Sequence, residues 1–235
     1  MRRYQQHITK NILAIVIGIL PANIIMIWYR LTHTEAFTTF EMLVYPLIFG
    51  SANILLILLL NKYLLKGKLV DFNRGKRMWY MDITAGIILT FIYFSLLYIE
   101  QATFKKVLPE GKPPSQEVIN LMIDLAHNPF LLAVWLGPVV WIGVALFEEL
   151  IRTFFLNCLW RISDRNAWQI FAIVLVSAVT AFVHLYQGVF GIVSVGIQSI
   201  LMGFYYYKFR RIWPLIISHA LFDSAQIIMF VMQIT

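Results

Sequence analysis

Charge is scarce in this chain. Asp, Glu, Lys and Arg together make up 13% of its 235 residues, where soluble domains carry about 25%. Hydrophobic residues reach 60% and the mean hydropathy is +0.75, which excludes an ordinary soluble globule and describes an integral membrane protein. Cysteine is reduced to Cys158 alone, so an intramolecular disulfide is excluded and no redox compartment is implied. An internal repeat, a Gly-rich phosphate loop, a Walker motif and the metalloprotease pattern HExxH are all missing. A net charge of +7 would suit nucleic acid, but its distribution excludes that partner. The basic residues fall in short loops between apolar runs, which is the pattern of membrane topology.

About 20 apolar residues cross a hydrocarbon core. Seven segments approach or exceed that length: 11–29, 42–61, 78–99, 129–160, 168–187, 190–207 and 213–233. They define an all-α polytopic membrane protein, with an eighth helix if one segment is interfacial or broken. One helical domain is expected over 1–235, with three accessory spans in 1–99 and the chemistry-bearing core in 129–233. The start, MRRYQQHITKNILAIVIGILPA, has the basic and apolar parts of a signal peptide. Further spans follow and no convincing small-residue cleavage site does, so it reads as a retained first helix.

Alternating the loops from a cytoplasmic N-terminus gives a clear charge asymmetry. Fourteen Lys and Arg residues, from Arg2 to Arg211, fall inside, against Arg30, Lys105, Lys106 and Lys112 outside. The expected orientation is therefore N-terminus in and C-terminus out, in a bacterial cytoplasmic membrane. The fourth span is too long for one perpendicular crossing; Pro138 is placed to kink it, or its last turns lie along the interface. Gly188, Gly191, Gly196 and Gly203, with Ser194, Gln198 and Ser199, suit close packing or a polar lumen in the sixth. Between Gln101 and Asn128, after Pro109, Pro113 and Pro114, the spacing of Val118, Leu121, Met122 and Leu125 predicts a short amphipathic helix on the outer surface.

A few polar residues interrupt the apolar spans. Glu148 and Glu149 end the run beginning near Pro129, His184 lies in AFVHLYQG, and His219 and Asp223 lie in ISHALFD. A charge at the centre of a spanning helix costs from about 3 to more than 10 kcal/mol, so such groups face a partner or a wet cavity. Arg152, the one basic residue buried in a span, follows Glu148 by four positions and Glu149 by three, which makes it their natural partner. His219 and Asp223 are four apart and share a helix face. His219 lies about 9 Å beyond Trp213, and Glu148 reads as lying towards the cytoplasmic end of its helix. His184 fits less well, about 24 Å along its helix from Trp168. A tilted helix, or one breaking at Gln187 and Gly188, would reconcile the two.

A glutamate beside a histidine can activate water, and a second histidine can stabilise an oxyanion. Taken singly, a Glu–Arg pair serves equally well as structural glue, and a lone histidine as a hydrogen-bonding core residue; their combination favours chemistry. Asp82, near the cytoplasmic start of its helix, reads as capping or interfacial. Cys158, with no histidine beside it, reads as an inert core residue.

FEELIR, AFVHLYQG, the Gly-rich sixth span and WPLIISHALFD occur in the order of the motifs of the CPBP family of intramembrane proteases, which they resemble. That family comprises the CAAX-prenyl endopeptidases and the Abi-type bacteriocin-processing or self-immunity proteins. The resemblance covers about Ala145 to Asp223 and leaves the first three spans outside. It implies that Glu148 and His184 activate the hydrolytic water. His219 and Asp223 would serve the oxyanion or positioning, and Glu149 and Arg152 would support. Two departures stand out. Arg usually follows the second Glu by four positions, where this chain has Thr153, and Phe usually precedes the His by four, where it has Thr180. With Arg152 spaced for either carboxylate, which glutamate is the base stays open.

The leading expectation is an intramembrane endopeptidase that cuts a membrane-associated or peptide substrate near the cytoplasmic face. The alternative is a catalytically silent regulator or immunity protein that binds a peptide or a sensor kinase. A proton- or ion-coupled transporter would also place Glu, Arg and His in spans, but it predicts matched halves, and the polar groups concentrate after residue 145. The expected partners are a peptide or protein substrate and the lipid bilayer. The resemblance implies catalytic water without a required cofactor. His184, His219, Asp223 and a Glu could supply a hard N/O site for a divalent metal such as zinc, although their spacing does not demand one.

Overall fold

The computed structural model describes residues 8–19, 24–25, 38–74, 78–104, 107–108 and 116–234. Eight helices are named here in chain order. They are α1 (Ile8–Ile19), α2 (Thr39–Leu64), α3 (Trp79–Thr103), α4 (Gln116–His127), α5 (Pro129–Trp160), α6 (Asn166–Val183), α7 (Gly188–Phe209) and α8 (Trp213–Ile234). Six of them, all but α1 and α4, are long and apolar enough to cross a membrane. The chain is an all-α polytopic membrane protein. Of the first expected span, the structure describes only α1 and residues 24–25; the rest, like Arg2, Arg3, Arg30, Lys105, Lys106, Lys112 and the loop prolines, lies outside the described residues.

Local chemistry explains where the helices begin and bend. Thr38 and Glu41 form a reciprocal capping box at the start of α2, with bonds of 2.8 and 3.3 Å. Asn128 caps α5 by accepting from the Phe130 and Leu131 amides, and Pro129 follows it, where a missing N–H is harmless. Inside α5 the backbone leaves helical geometry at Gly137 (φ −89°, ψ −107°), directly before Pro138. A proline disfavours the helical region for its predecessor and removes one backbone bond. The expected kink is therefore present, and residues Trp135–Leu146 wind with wide π-type turns before α-helical winding resumes at Phe147.

The last turns of α5 do not lie along an interface. Glu149, Leu150, Arg152, Thr153, Phe154, Leu156, Cys158, Leu159 and Trp160 are all buried, so this segment is enclosed by the bundle. Glycines permit that closeness. A Cβ on Gly50 of α2 would lie 2.9 Å from the Gly143 carbonyl oxygen of α5, and one on Gly203 of α7 would lie 2.6 Å from the Ile173 side chain of α6. Lipid tails offer helices no hydrophobic drive to associate, so close backbone packing supplies much of the attraction.

Helix α4 forms where the spacing predicts, but its apolar face is not spread on the outer surface. Leu121, Met122 and Leu125 are buried against Val231 of α8, because the bundle offers that face a closer partner than lipid headgroups. Helices α3 and α8 run side by side in parallel, as the pairs Asp82–Arg211, Thr90–Ser218 and Tyr93–Phe222 show. Asp82 is neither a cap nor simply interfacial. Its buried carboxylate accepts from Arg211 Nε at 2.7 Å and also meets the Nη2 group, fixing the start of α3 to the α7–α8 turn.

Candidate active site

Resumption of α-helical winding at Phe147 sets the phase of the two glutamates. Glu149 points into protein, fully buried, while the Glu148 side chain keeps 29% exposure and faces a cavity. Adjacent residues on a helix differ by about 100° in direction, so only one of the pair can face that space. Arg152 resolves the ambiguity of its spacing by donating to Glu149 Oε1 at 2.6 Å, and its guanidinium also touches the Met202 sulfur. Thr153 turns its hydroxyl back to the Glu149 carbonyl at 2.7 Å and takes no part in the ion pair.

His219 joins α8 to this cluster. Its Nδ1 lies 2.9 Å from Glu149 Oε1, and its Nε2 lies 3.4 Å from Asp223 Oδ2 and 4.0 Å from Glu148 Oε2. Glu149 therefore orients the ring from behind, and Nε2 is presented between the two carboxylates nearest the cavity. A charged group can be tolerated here because each has an opposite or hydrogen-bonding partner in a low-dielectric setting.

The cavity has a volume of about 660 Å³, and Glu148, Arg152, His184, His219 and Asp223 all contribute to its wall. His184 reaches it without an early break in its helix. Helix α6 runs through Val183, then leaves helical geometry at His184 and turns through Leu185–Gln187 to Gly188, whose φ of 81° favours glycine. Glu148 does not lie at the cytoplasmic end of its helix, which continues to Trp160. Bonds from Trp160 Nε1 to the Gln169 carbonyl and from Trp168 Nε1 to the Leu159 carbonyl pin the α5–α6 turn. Counted from that turn, Glu148 is about 18 Å along its helix and His184 about 24 Å along the neighbouring one. The two thus differ by roughly one helical turn. His184 Nδ1 faces the Thr180 backbone carbonyl at 2.9 Å, a contact that does not depend on which side chain stands at 180.

The polar lumen expected of the sixth span is present, since Gly191, Ser194, Gln198 and Ser199 of α7 line the cavity. Gln101 of α3 and Gln226 of α8 also line it, although neither stood out in the sequence. Glu100 was missed as well. It falls between the apolar run 78–99 and the segment from Gln101, yet α3 continues to Thr103 and Glu100 is buried, accepting from Ser194 Oγ at 2.5 Å. Only its place one residue beyond a span hinted at burial. Cys158 is fully buried, in keeping with a core residue. Among the described residues no group of three His, Cys, Asp or Glu side chains is placed to hold a metal ion.

Chemically, this is a water-sized to peptide-sized space within a helix bundle. It has a carboxylate and an imidazole on its wall and a second imidazole held by carboxylates. No curated protein and no solved structure matches the chain. Residues 129–225 match the family model of the type II CAAX prenyl endopeptidase Rce1-like proteins. That stretch runs from the start of α5 into α8 and contains every acid, base and cation of the cluster. Over residues 129–225 the chain is thus similar to the Rce1-like type II CAAX prenyl endopeptidases, in agreement with the resemblance of its motifs to the CPBP and CAAX group of proteases.

Proposed function

We propose that this protein is an intramembrane endopeptidase that hydrolyses a peptide bond by glutamate-activated water, within the helix bundle and well inside a bacterial membrane. The observation that carries the reading is one cavity walled by Glu148 of α5, His184 at the end of α6, and His219 and Asp223 of α8. Glu148 would take a proton from water as its oxygen attacks the scissile carbonyl, with His184 holding that water from the facing wall. The oxyanion so formed needs a donor in a site that excludes bulk water, and His219 Nε2 is held towards the cavity for that role, backed by Glu149. Asp223 would position the ring. Collapse of the intermediate breaks the C–N bond, and the proton held by Glu148 passes to the leaving amine.

A prenylated C-terminus, a bacteriocin leader and a quorum-sensing peptide are all compatible substrates. The deciding experiment incubates detergent-purified protein with a library of tagged membrane peptides, comparing wild type with Glu148→Ala. Cleavage by wild type alone supports the reading. Binding without cleavage by either protein would instead support a silent regulator or immunity protein, a reading favoured by one feature: His184 sits a turn beyond Glu148, bonded to its own helix.

A further inference from the structure

Glu100 lies outside the family-matched stretch, on α3, and has no role in the chemistry above. Its position is nevertheless specific. The Ser194 hydroxyl donates its one proton to Glu100 Oε2 at 2.5 Å. With that proton committed, Ser194 Oγ can only accept. It does so from Gln198 Nε2, one turn along α7 at 3.4 Å. The consequence falls on Gln198, whose amide is turned with its nitrogen towards Ser194 and its carbonyl oxygen away from it.

The depth of Gln198 gives that oxygen a purpose. Helices α5 and α7 run in the same direction, because α6 connects them by a turn at each end. Met202 of α7 touches Arg152 of α5. One turn back from Met202 is Gln198, and one turn back from Arg152 is Glu148. Both line the cavity, so the Gln198 amide stands level with the proposed base. An extended peptide offers backbone N–H groups at every residue, alternating in direction. An acceptor of fixed polarity beside the base suits one of these; it does nothing for a hydrocarbon chain.

We propose that Gln198 accepts a backbone N–H of the peptide beside the bond attacked at Glu148, and that Glu100, through Ser194, is the positioning residue that sets the polarity of that acceptor. The inference rests on the peptidase reading for its substrate class, and it names the part of the substrate recognised: main chain next to the scissile bond.

The test uses the full-length protein in detergent with the Glu148→Gln substitution, so that binding is measured without cleavage. The probe is the tightest-binding fluorescent peptide of the library described above, remade with each backbone amide replaced in turn by an ester. At one position the ester should weaken binding about five-fold, the factor carried by one neutral hydrogen bond. Adding Gln198→Leu, Ser194→Ala or Glu100→Leu should reduce that factor at the same position to below about two-fold, since the acceptor is removed or free to flip. A merely structural role would weaken amide and ester peptides alike. Should Glu100→Leu fail to fold, Ser194→Ala tests the same relay with a small change.

Equal affinity for amide and ester peptides at every position, including no measurable binding, overturns the proposal. So does a five-fold ester effect that survives Ser194→Ala. Loss of the peptidase reading is a separate result: wild type that cleaves nothing, yet shows the relay-dependent ester effect, is a peptide-binding protein that keeps this subsite.

Discussion

Neutralising the two adjacent glutamates one at a time should separate function from stability. Glu149 is fully buried, and its partner Arg152 keeps only 7% side-chain exposure at 2.6 Å. Glu149→Gln leaves that guanidinium inside the bundle with its carboxylate gone, and removing one member of a buried pair costs about 3–5 kcal/mol. The glutamine carbonyl retains one acceptor, which places the expected loss near about 3 kcal/mol. At about 2–4 °C per kcal/mol, unfolding should move down by about 6–12 °C. Glu148 has the opposite balance. Its side chain is 29% exposed and its approach to His219 is 4.0 Å, so Glu148→Gln should change stability by less than about 1 kcal/mol. Its cleavage rate should fall by about 10²–10⁴, the contribution of a general base. Both readouts come from one preparation, with thermal unfolding followed by the fluorescence of seven tryptophans and cleavage followed on a tagged peptide. Two results would refute the reasoning. One is a Glu149→Gln protein with wild-type unfolding and no cleavage, which would exchange the two roles. The other is equal destabilisation by both substitutions, which would mean that Glu148 is not the cavity-facing member.

Three further expectations are independent of the chemistry. Reporters fused after Lys68 and after Arg210 should remain cytoplasmic, and one in the 101–128 loop should be external; an external reporter at Lys68 would invert the orientation and the placement of the site. Gly50→Ala should destabilise the protein by about 1–3 kcal/mol in a detergent unfolding assay, because the new methyl would press on the Gly143 carbonyl of α5. An unchanged midpoint would show that α2 and α5 are not held at that distance. Cys158 should resist maleimide labelling until the protein is denatured, since its side chain is fully buried between helices; rapid labelling of the folded protein would contradict the packing of α5.

Much of the fold was legible because membrane segments announce themselves one at a time. A long apolar run requires no knowledge of its neighbours, and the six spanning helices are close to the predicted segments for that reason. Pro138 acts through its own ring and its predecessor, so the kink could be read locally as well. Misreadings arose where a residue has two possible partners. Leu121, Met122 and Leu125 form an apolar face under any fold, and only the position of α8 decides that they meet Val231 and not headgroups. Asp82 shows the same limit, since its partner Arg211 lies 129 residues away.

The candidate site divides along similar lines. By itself the sequence determined which residue types interrupt the spans, and that Glu148, Glu149, Arg152, His184, His219 and Asp223 were the ones to watch, because uncompensated charge is too costly in lipid to occur without a reason. Which glutamate faces the cavity could not follow from it. The π-type winding of Trp135–Leu146 shifts the helical phase before Glu148, and counting from Pro129 loses the face. The depth of His184 depended on where α5 ends, a matter settled by Trp160 and Trp168 pinning the turn. Glu100 needed Ser194, 94 residues away on another helix, to gain its hydrogen-bond partner. Hydropathy and local backbone preference act along the chain and can be read from it, whereas facing, depth and pairing arise between helices and exist only once they have packed.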